Sequence, residues 1–281
     1  MHFLQVVFLM RILNFLWIRF CCVAIFCAIS YAQEFGFGVN VSGGYYKYSE
    51  PQVMNISGAM YGVGGYAYMA QQRFRHQIHA NYFGGITRYD GSECSIANPT
   101  FCTPLQSTSQ DSYYTLEYRF GSFVYQDSET FVYTGFGLGF WDLDDAISAS
   151  SGYAREQSYV YMPLFIHMQY AFSHRIALYG IFTYQQLLRG YNTSHFQDIG
   201  FDRNLYFTQN RGYGVRLDIG IRRNLDEYGY SGVIVFGVYL QYWNIADSSA
   251  DSAYYNGRFI GVYYEPHNIT QAVGMSIGYE F

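Results

Sequence analysis

Charge is scarce in this chain. Only 13% of its 281 residues are Asp, Glu, Lys or Arg, about half the share of a water-soluble domain. Long apolar runs are missing as well, because beyond residue 32 no stretch reaches the roughly 20 apolar residues that a membrane-spanning helix needs. These two absences argue against an ordinary soluble globule and against a helical membrane protein. Residues 1–32 read as a secretory signal peptide: Arg11 and Arg19 precede the apolar run Phe20 to Ile29, and Ser30-Tyr31-Ala32 offers a small-x-small cleavage site before Gln33. Met10 gives a tidier start than Met1. Three of the five cysteines, Cys21, Cys22 and Cys27, leave with that segment. Cys94 and Cys102 remain, and in an exported chain such a pair is expected to form a disulfide closing a small loop. A metal site is the alternative, with no His or second Cys pair nearby in sequence to support it. The mature chain, 33–281, lacks basic excess: 14 basic residues face 21 acidic ones, a net charge of −7. That argues against a nucleic-acid partner.

Aromatics and glycine are abundant, with 32 Tyr, 24 Phe and 29 Gly. Their arrangement follows a period of two, the mark of strands with one face in an apolar medium. Phe35, Phe37, Val39 and Val41 alternate with Gly36, Gly38, Asn40 and Ser42. A second strand spans Ala59 to Ala70, and a third sets Ile78, Ala80, Tyr82 and Ile86 against Gln77, His79 and Asn81. Tyr114, Leu116, Tyr118 and Phe120 oppose Thr115, Glu117 and Arg119 in the fourth. The fifth turns Phe136, Leu138 and Phe140 outward and Tyr133, Gly135, Gly137, Gly139 and Trp141 inward. In the sixth, Val160, Met162, Leu164, Ile166 and Met168 oppose Tyr159, Tyr161, Phe165 and His167, and Pro163 predicts a local bulge. The seventh, Ile176 to Leu188, is apolar in both phases. The eighth sets Val215, Leu217 and Ile219 against Arg216 and Asp218, and the ninth exposes Ile234, Phe236, Val238 and Leu240. The last puts Val273, Met275, Ile277, Tyr279 and Phe281 on one face and Gly274, Ser276, Gly278 and Glu280 on the other.

Ten strands result, with eight or twelve open if a hairpin is split or fused. Connections after even strands are short. Those after strands three, five, seven and nine, including Asp90 to Asp111, Asp142 to Glu156, Gly190 to Thr208 and Ala246 to Pro266, read as long polar loops. This alternation is that of periplasmic turns and extracellular loops in transmembrane β-barrels. The aromatic C-terminal residue, in phase with the apolar face, resembles the closing strand of Gram-negative outer-membrane β-barrels. That resemblance implies residence in the outer membrane, contact with lipid and lipopolysaccharide, recognition by the barrel assembly machinery, and both termini in the periplasm. The fold expected is all-β, an antiparallel up-and-down barrel.

Chemistry, if present, belongs in the lumen or the loops. The inward charges are Glu117, Arg119, Arg216, Asp218 and Glu280, with His79 and His167. Opposite charges on facing walls of a small barrel are expected to form a salt-bridged plug, and a charged constriction passing ions or small solutes, porin-like, is the alternative. Hydrolase signals are thin. Ten-stranded omptin-type proteases use an acid pair and an Asp-x-His pair; Asp142, Asp144 and Asp145 offer acids, but no Asp-x-His occurs. Ser173-His174 and Ser194-His195 fall in a turn and a loop rather than on a strand, so no catalytic residue is named. No cofactor or metal motif is found. Loops rich in Tyr, Ser, Asn and Asp suit surface recognition, adhesin-like, and Tyr254, Tyr255, Tyr263 and Tyr264 flank the last of them.

A wider resemblance rests on Tyr48-Ser49-Glu50-Pro51 with Met54 and Gly58, Gly135 to Gly139, Gly152-Tyr153-Ala154-Arg155-Glu156 leading into Tyr159 to Pro163, Tyr242 to Ser248, and Glu265-Pro266-His267-Asn268-Ile269-Thr270. These pieces are similar to a set of small proteobacterial outer-membrane barrels without an assigned activity. The resemblance implies the fold and supplies no catalytic residues.

Overall fold

Alternation alone dictates a wall with two different faces, and the computed structural model, which describes residues 34–94, 101–149, 151–226 and 231–281, closes that wall into a tube. The elements are β1 (Glu34–Glu50), β2 (Met54–Gln71), β3 (Phe74–Cys94), β4 (Cys102–Gln126), β5 (Thr130–Ile147), β6 (Ala154–Ala171), β7 (Ile176–Ser194), β8 (Leu205–Gln209), β9 (Gly212–Asn224), β10 (Val233–Ile245), β11 (Ala250–Tyr255), β12 (Arg258–Tyr264) and β13 (Asn268–Glu280). From β1 to β7 neighbours along the chain pair antiparallel, β7 then pairs with β9, β9 with β10 and β10 with β13, and β1 pairs with β13 from Gly38–Glu280 to Ser49–Ile269. Ten strands form the closed barrel. The eighth, ninth and tenth barrel strands are β9, β10 and β13. The short β8 extends β7 at its far end, and β11 with β12 makes a separate hairpin. The signal-peptide segment lies outside the described residues.

Closure leaves no edge, which is what makes a strand tolerable in hydrocarbon, where each unpaired backbone group costs several kcal/mol. The apolar phase faces outward all round: Phe37, Val41, Val63, Ile78, Leu116, Leu138, Leu164, Ile219, Val238 and Met275 are all exposed. A band some nine or ten residues tall per strand is the height such barrels offer to lipid. The C-terminal face behaves likewise, with Val273, Met275, Ile277 and Phe281 exposed. Phe281 stacks on Phe37 at 4.5 Å between ring centroids, and its N–H donates to the Phe37 carbonyl at 2.9 Å, sealing the seam between first and last strands.

Several expectations change. The segments Asp90 to Asp111 and Asp142 to Glu156 are mostly strand rather than loop, since β3 to β6 continue past the apolar band as a protruding wall. The outer face of that extension is polar and the inner face mixes polar residues with a few apolar ones such as Tyr89 and Leu143, so the two-residue rhythm that marks a strand is weakened. Pro163 makes no bulge of its own and stays opposite Gln185; on its other side the registered pairs pass from Gly139–Tyr161 to Phe136–Leu164, skipping the residue without an N–H. The bulge sits on β7 instead, where Leu188 is the extra residue between Leu187 and Arg189. That insertion switches the inward phase from Thr183, Gln185 and Leu187 to Gly190, Asn192 and Ser194, which is why the seventh strand has no single alternation.

Candidate functional site

Inside, aromatic side chains meet across the tube. Tyr113 of β4 packs on Phe83 of β3 and Trp141 of β5; Phe83 reaches Tyr239 of β10, and Trp141 reaches Trp243 of β10 at 5.4 Å, which in turn touches Tyr161 of β6 at 5.2 Å. The last three of these contacts, to Tyr239 and Trp243 of β10, join strands that are not neighbours in the wall. Gly139 makes room for the layer, because a Cβ there would lie 2.2 Å from the Tyr161 ring. The layer divides the lumen into a lower chamber, at the end with the short turns, and an upper one, at the end with the long hairpins.

The lower chamber holds the predicted charges, in an arrangement different from that expected. Two of the three pairs form along single strands, because residues two apart in a strand share a face, and the third reaches from β13 to β9. Arg119 pairs with Glu117 on β4, where Tyr161 donates to Glu117 at 2.9 Å. Arg216 grips Asp218 on β9 with bonds of 2.7 and 2.8 Å. Glu280 of β13 meets Arg222, a residue absent from the predicted set, at 2.5 Å and accepts from Tyr66 at 2.6 Å. A cavity of about 200 Å³ lies between these pairs.

The upper chamber was not anticipated. Arg155 of β6, 3% exposed, donates through Nε and Nη2 to Asp145 of β5, and through Nη1 to Glu50 of β1 at 2.6 Å and Glu265 at 3.3 Å. The Tyr48 hydroxyl lies 3.0 Å from Glu50 and 2.9 Å from Glu265, and Gln157 donates to Tyr48 and Glu265 at 3.0 Å each. Three carboxyl groups thus converge on one guanidinium. Burial, and then the neighbouring Glu50, push the Glu265 carboxyl up to about 8. Nearby, Asp111 accepts from Ser109 at 2.5 Å and from Thr87. Glu265 belongs to the connection between β12 and β13, so the cluster ties that connection to the barrel mouth. Phe196, Phe201, Leu205, Phe207 and Ala253, from residues 196–207 and β11, form a second apolar cluster. A signal did exist: Tyr48 and Glu50, Arg155, and Glu265 come from three of the segments that carry the family resemblance. Spacing in the chain does not reveal that they meet.

The remaining candidates separate. Cys94 and Cys102 form a disulfide at the tip of the β3–β4 hairpin. Asp142 and Asp144 lie on the outer wall of β5, where Asp142 accepts from Ser158, whereas Asp145 points inward to Arg155. Ser194 is buried and donates to Asn192, while the adjacent His195 meets Glu156 at 2.9 Å and Asn204 at 3.2 Å. Ser173 caps its turn by accepting from the Arg175 and Ile176 N–H groups, and the neighbouring His174 contacts Arg175. Neither serine is held by a histidine. Among the described residues no group of three or more His, Cys, Asp or Glu side chains is arranged to hold a metal ion.

No protein-family model matches the chain, and no curated protein matches it in sequence. Solved structures do resemble it. The outer membrane protease OmpT from Escherichia coli is 11% identical, with 89% of this chain and 97% of that one covered at a TM-score of 0.54. Neisserial surface protein A is 10% identical over 86% and 95% of the two chains, at a TM-score of 0.31. The Ralstonia pickettii toluene transporter TbuX is 9% identical over 88% of each, at a TM-score of 0.35. At 11% identity the first likeness speaks to the fold alone, that of an outer-membrane β-barrel.

Proposed function

We propose that this chain is an integral protein of the Gram-negative outer membrane, with its short-turn end and both termini in the periplasm, and that it acts as a non-enzymatic structural and surface-interaction barrel whose lumen passes no solute. The carrying observation is the aromatic layer from Phe83 and Tyr113 through Trp141 to Trp243 and Tyr161. Side chains fill the interior of narrow barrels in this way. The outward apolar band supports contact with lipid and lipopolysaccharide, and the exposed terminal face from Val273 to Phe281 supports recognition by the assembly machinery. With the lumen occupied, the surface left for a partner is the protruding end, where Tyr206, Phe259, Val262 and Tyr264 are exposed.

Planar-bilayer recording tests the central point. The purified barrel is expected to insert without steady single-channel steps. Stepwise current that changes on replacing Arg119 or Arg216 would favour the second reading, a narrow pore, for which the 200 Å³ lower cavity is the supporting observation. Turnover of peptides or labelled lipopolysaccharide, lost on replacing His195, would instead point to a hydrolase. Binding of cells to a surface ligand, compared with and without the β11–β12 hairpin, tests the interaction role.

A further inference from the structure

The charges around the lower chamber do not balance. Four guanidinium groups line it, those of Arg75, Arg119, Arg216 and Arg222, with two carboxylates, Glu117 and Asp218, and a third, Glu280, set against Arg222. Each carboxylate is taken by its own arginine, Glu117 by Arg119, Asp218 by Arg216 and Glu280 by Arg222. Arg75 of β3 is left over. It is 8% exposed, and among the described residues no carboxylate lies within ion-pair distance of it. Its guanidinium sits 3.6 Å from the centre of the Tyr68 ring. With the Gln77 amide turned so that its oxygen faces Arg75, Nε and Nη2 each donate to that oxygen at 3.1 Å. Two of the five N–H donors are then used and the others remain. Glu34, the acid at the start of β1, is exposed and is held at the rim by the Tyr68 hydroxyl at 2.9 Å.

Two more unpartnered groups are buried in the wall of the same cavity. His167 of β6 is 8% exposed and its Nε2 has no hydrogen-bond partner, and the buried Nε2 of His79 of β3 has none either. In the neutral tautomer that protonates it, each is an N–H donor with nothing to receive it. A buried cation without a counter-charge is costly, and so is a buried donor without an acceptor. One ligand answers both: a planar anion that accepts from Arg75 through two oxygens and from the imidazoles at its edge. The volume, about 200 Å³, is many times what a single water requires. We propose that the lower chamber is a binding site for a small monocarboxylate, held chiefly by Arg75 with His167 and His79.

The test uses the full-length mature barrel folded in detergent micelles, with acetate as the probe and chloride at equal ionic strength as the control. The signals followed are the Arg Nε–H and His ring N–H resonances, with the Arg75 peak assigned by its loss in Arg75→Gln. Acetate is expected to shift the Arg75 and His167 signals to a plateau, and chloride to leave them within a small linear drift. Arg75→Gln is expected to weaken acetate binding at least tenfold. Should that variant fail to fold, His167→Phe keeps the cation and is expected to weaken binding several-fold. A linear, unsaturated response of the unmodified barrel to acetate overturns the proposal, as does an equal response to chloride. Binding unchanged in either folded variant overturns it too. A silent lumen in bilayer recording is compatible with the site, and a conducting one would sink the plug reading without touching it.

Discussion

Glu265 carries its carboxyl group into a site that already holds Glu50, Asp145 and one guanidinium. Its proton affinity rises from an ordinary value near 4.5 to about 8, first through burial and then through Glu50. The fold therefore favours the protonated form. The contribution is whole below about 4.5 and is lost as the pH rises through about 8. Since Glu265 fastens the connection between β12 and β13, that loss should loosen the 246–267 segment before it reaches the barrel wall. Limited proteolysis of the folded barrel, normalised at each pH to an unfolded control, is expected to show cleavage in 246–267 rising between pH 6 and pH 9. Glu265→Gln keeps a neutral side chain of the same shape and should hold cleavage low and flat. A wild-type profile without pH dependence, or a glutamine variant that follows it, would remove the titration from the account.

Elements answer to a different balance. The β3–β4 hairpin runs past the lipid band with polar residues on both faces and is closed at its tip by Cys94–Cys102. A loop with a sequence separation of 8 is short, and chain-entropy reasoning assigns its closure about 2–3 kcal/mol. That stabilisation is local, because the lower part of the hairpin is already fixed by the barrel. Reduction should speed amide exchange at Glu93 and Thr103, at the end of the ladder, and leave the unfolding midpoint of the whole barrel unchanged within a degree or two. A midpoint that falls with reduction would mean that tip and barrel unfold as one unit. The same polarity explains what could be read from sequence. Within the lipid band, Leu116 and Glu117 differ in character because one meets lipid and the other the lumen. Higher up, Thr108 and Ser109 point to opposite sides with similar side chains, so sequence alone suggests a loop. On β7 the obstacle is Leu188, whose insertion reverses the phase within one strand.

For the whole molecule, sequence made one chamber legible and left the other obscure. Glu117 with Arg119 and Arg216 with Asp218 were visible as inward pairs because they are neighbours on a strand face. Glu50, Arg155 and Glu265 are separated by 105 and 110 positions, and only barrel closure brings them together. Between the chambers, Trp243 is 1% exposed and touches Trp141, Tyr159 and Tyr161, so the indoles are the part of the layer whose removal would join the two polar spaces. Replacing a buried Trp by Ala costs roughly 3–5 kcal/mol, and a closed barrel with a continuous backbone ladder has a separate source of stability to draw on. Trp141→Ala combined with Trp243→Ala is therefore expected to retain the folded band on unheated gels while giving discrete current steps in bilayers where the parent gives none. With four guanidinium groups and two carboxylates lining the lower chamber and Glu280 set against Arg222, those steps should favour anions, and Arg75→Gln added to the pair should reduce that preference. A folded double variant that stays silent would move the obstruction away from the layer, with the second apolar cluster of Phe196, Phe201, Leu205 and Phe207 as the next candidate. The same recording after deletion of the β11–β12 hairpin, which packs in that cluster, would then decide whether the layer or the cluster closes the tube.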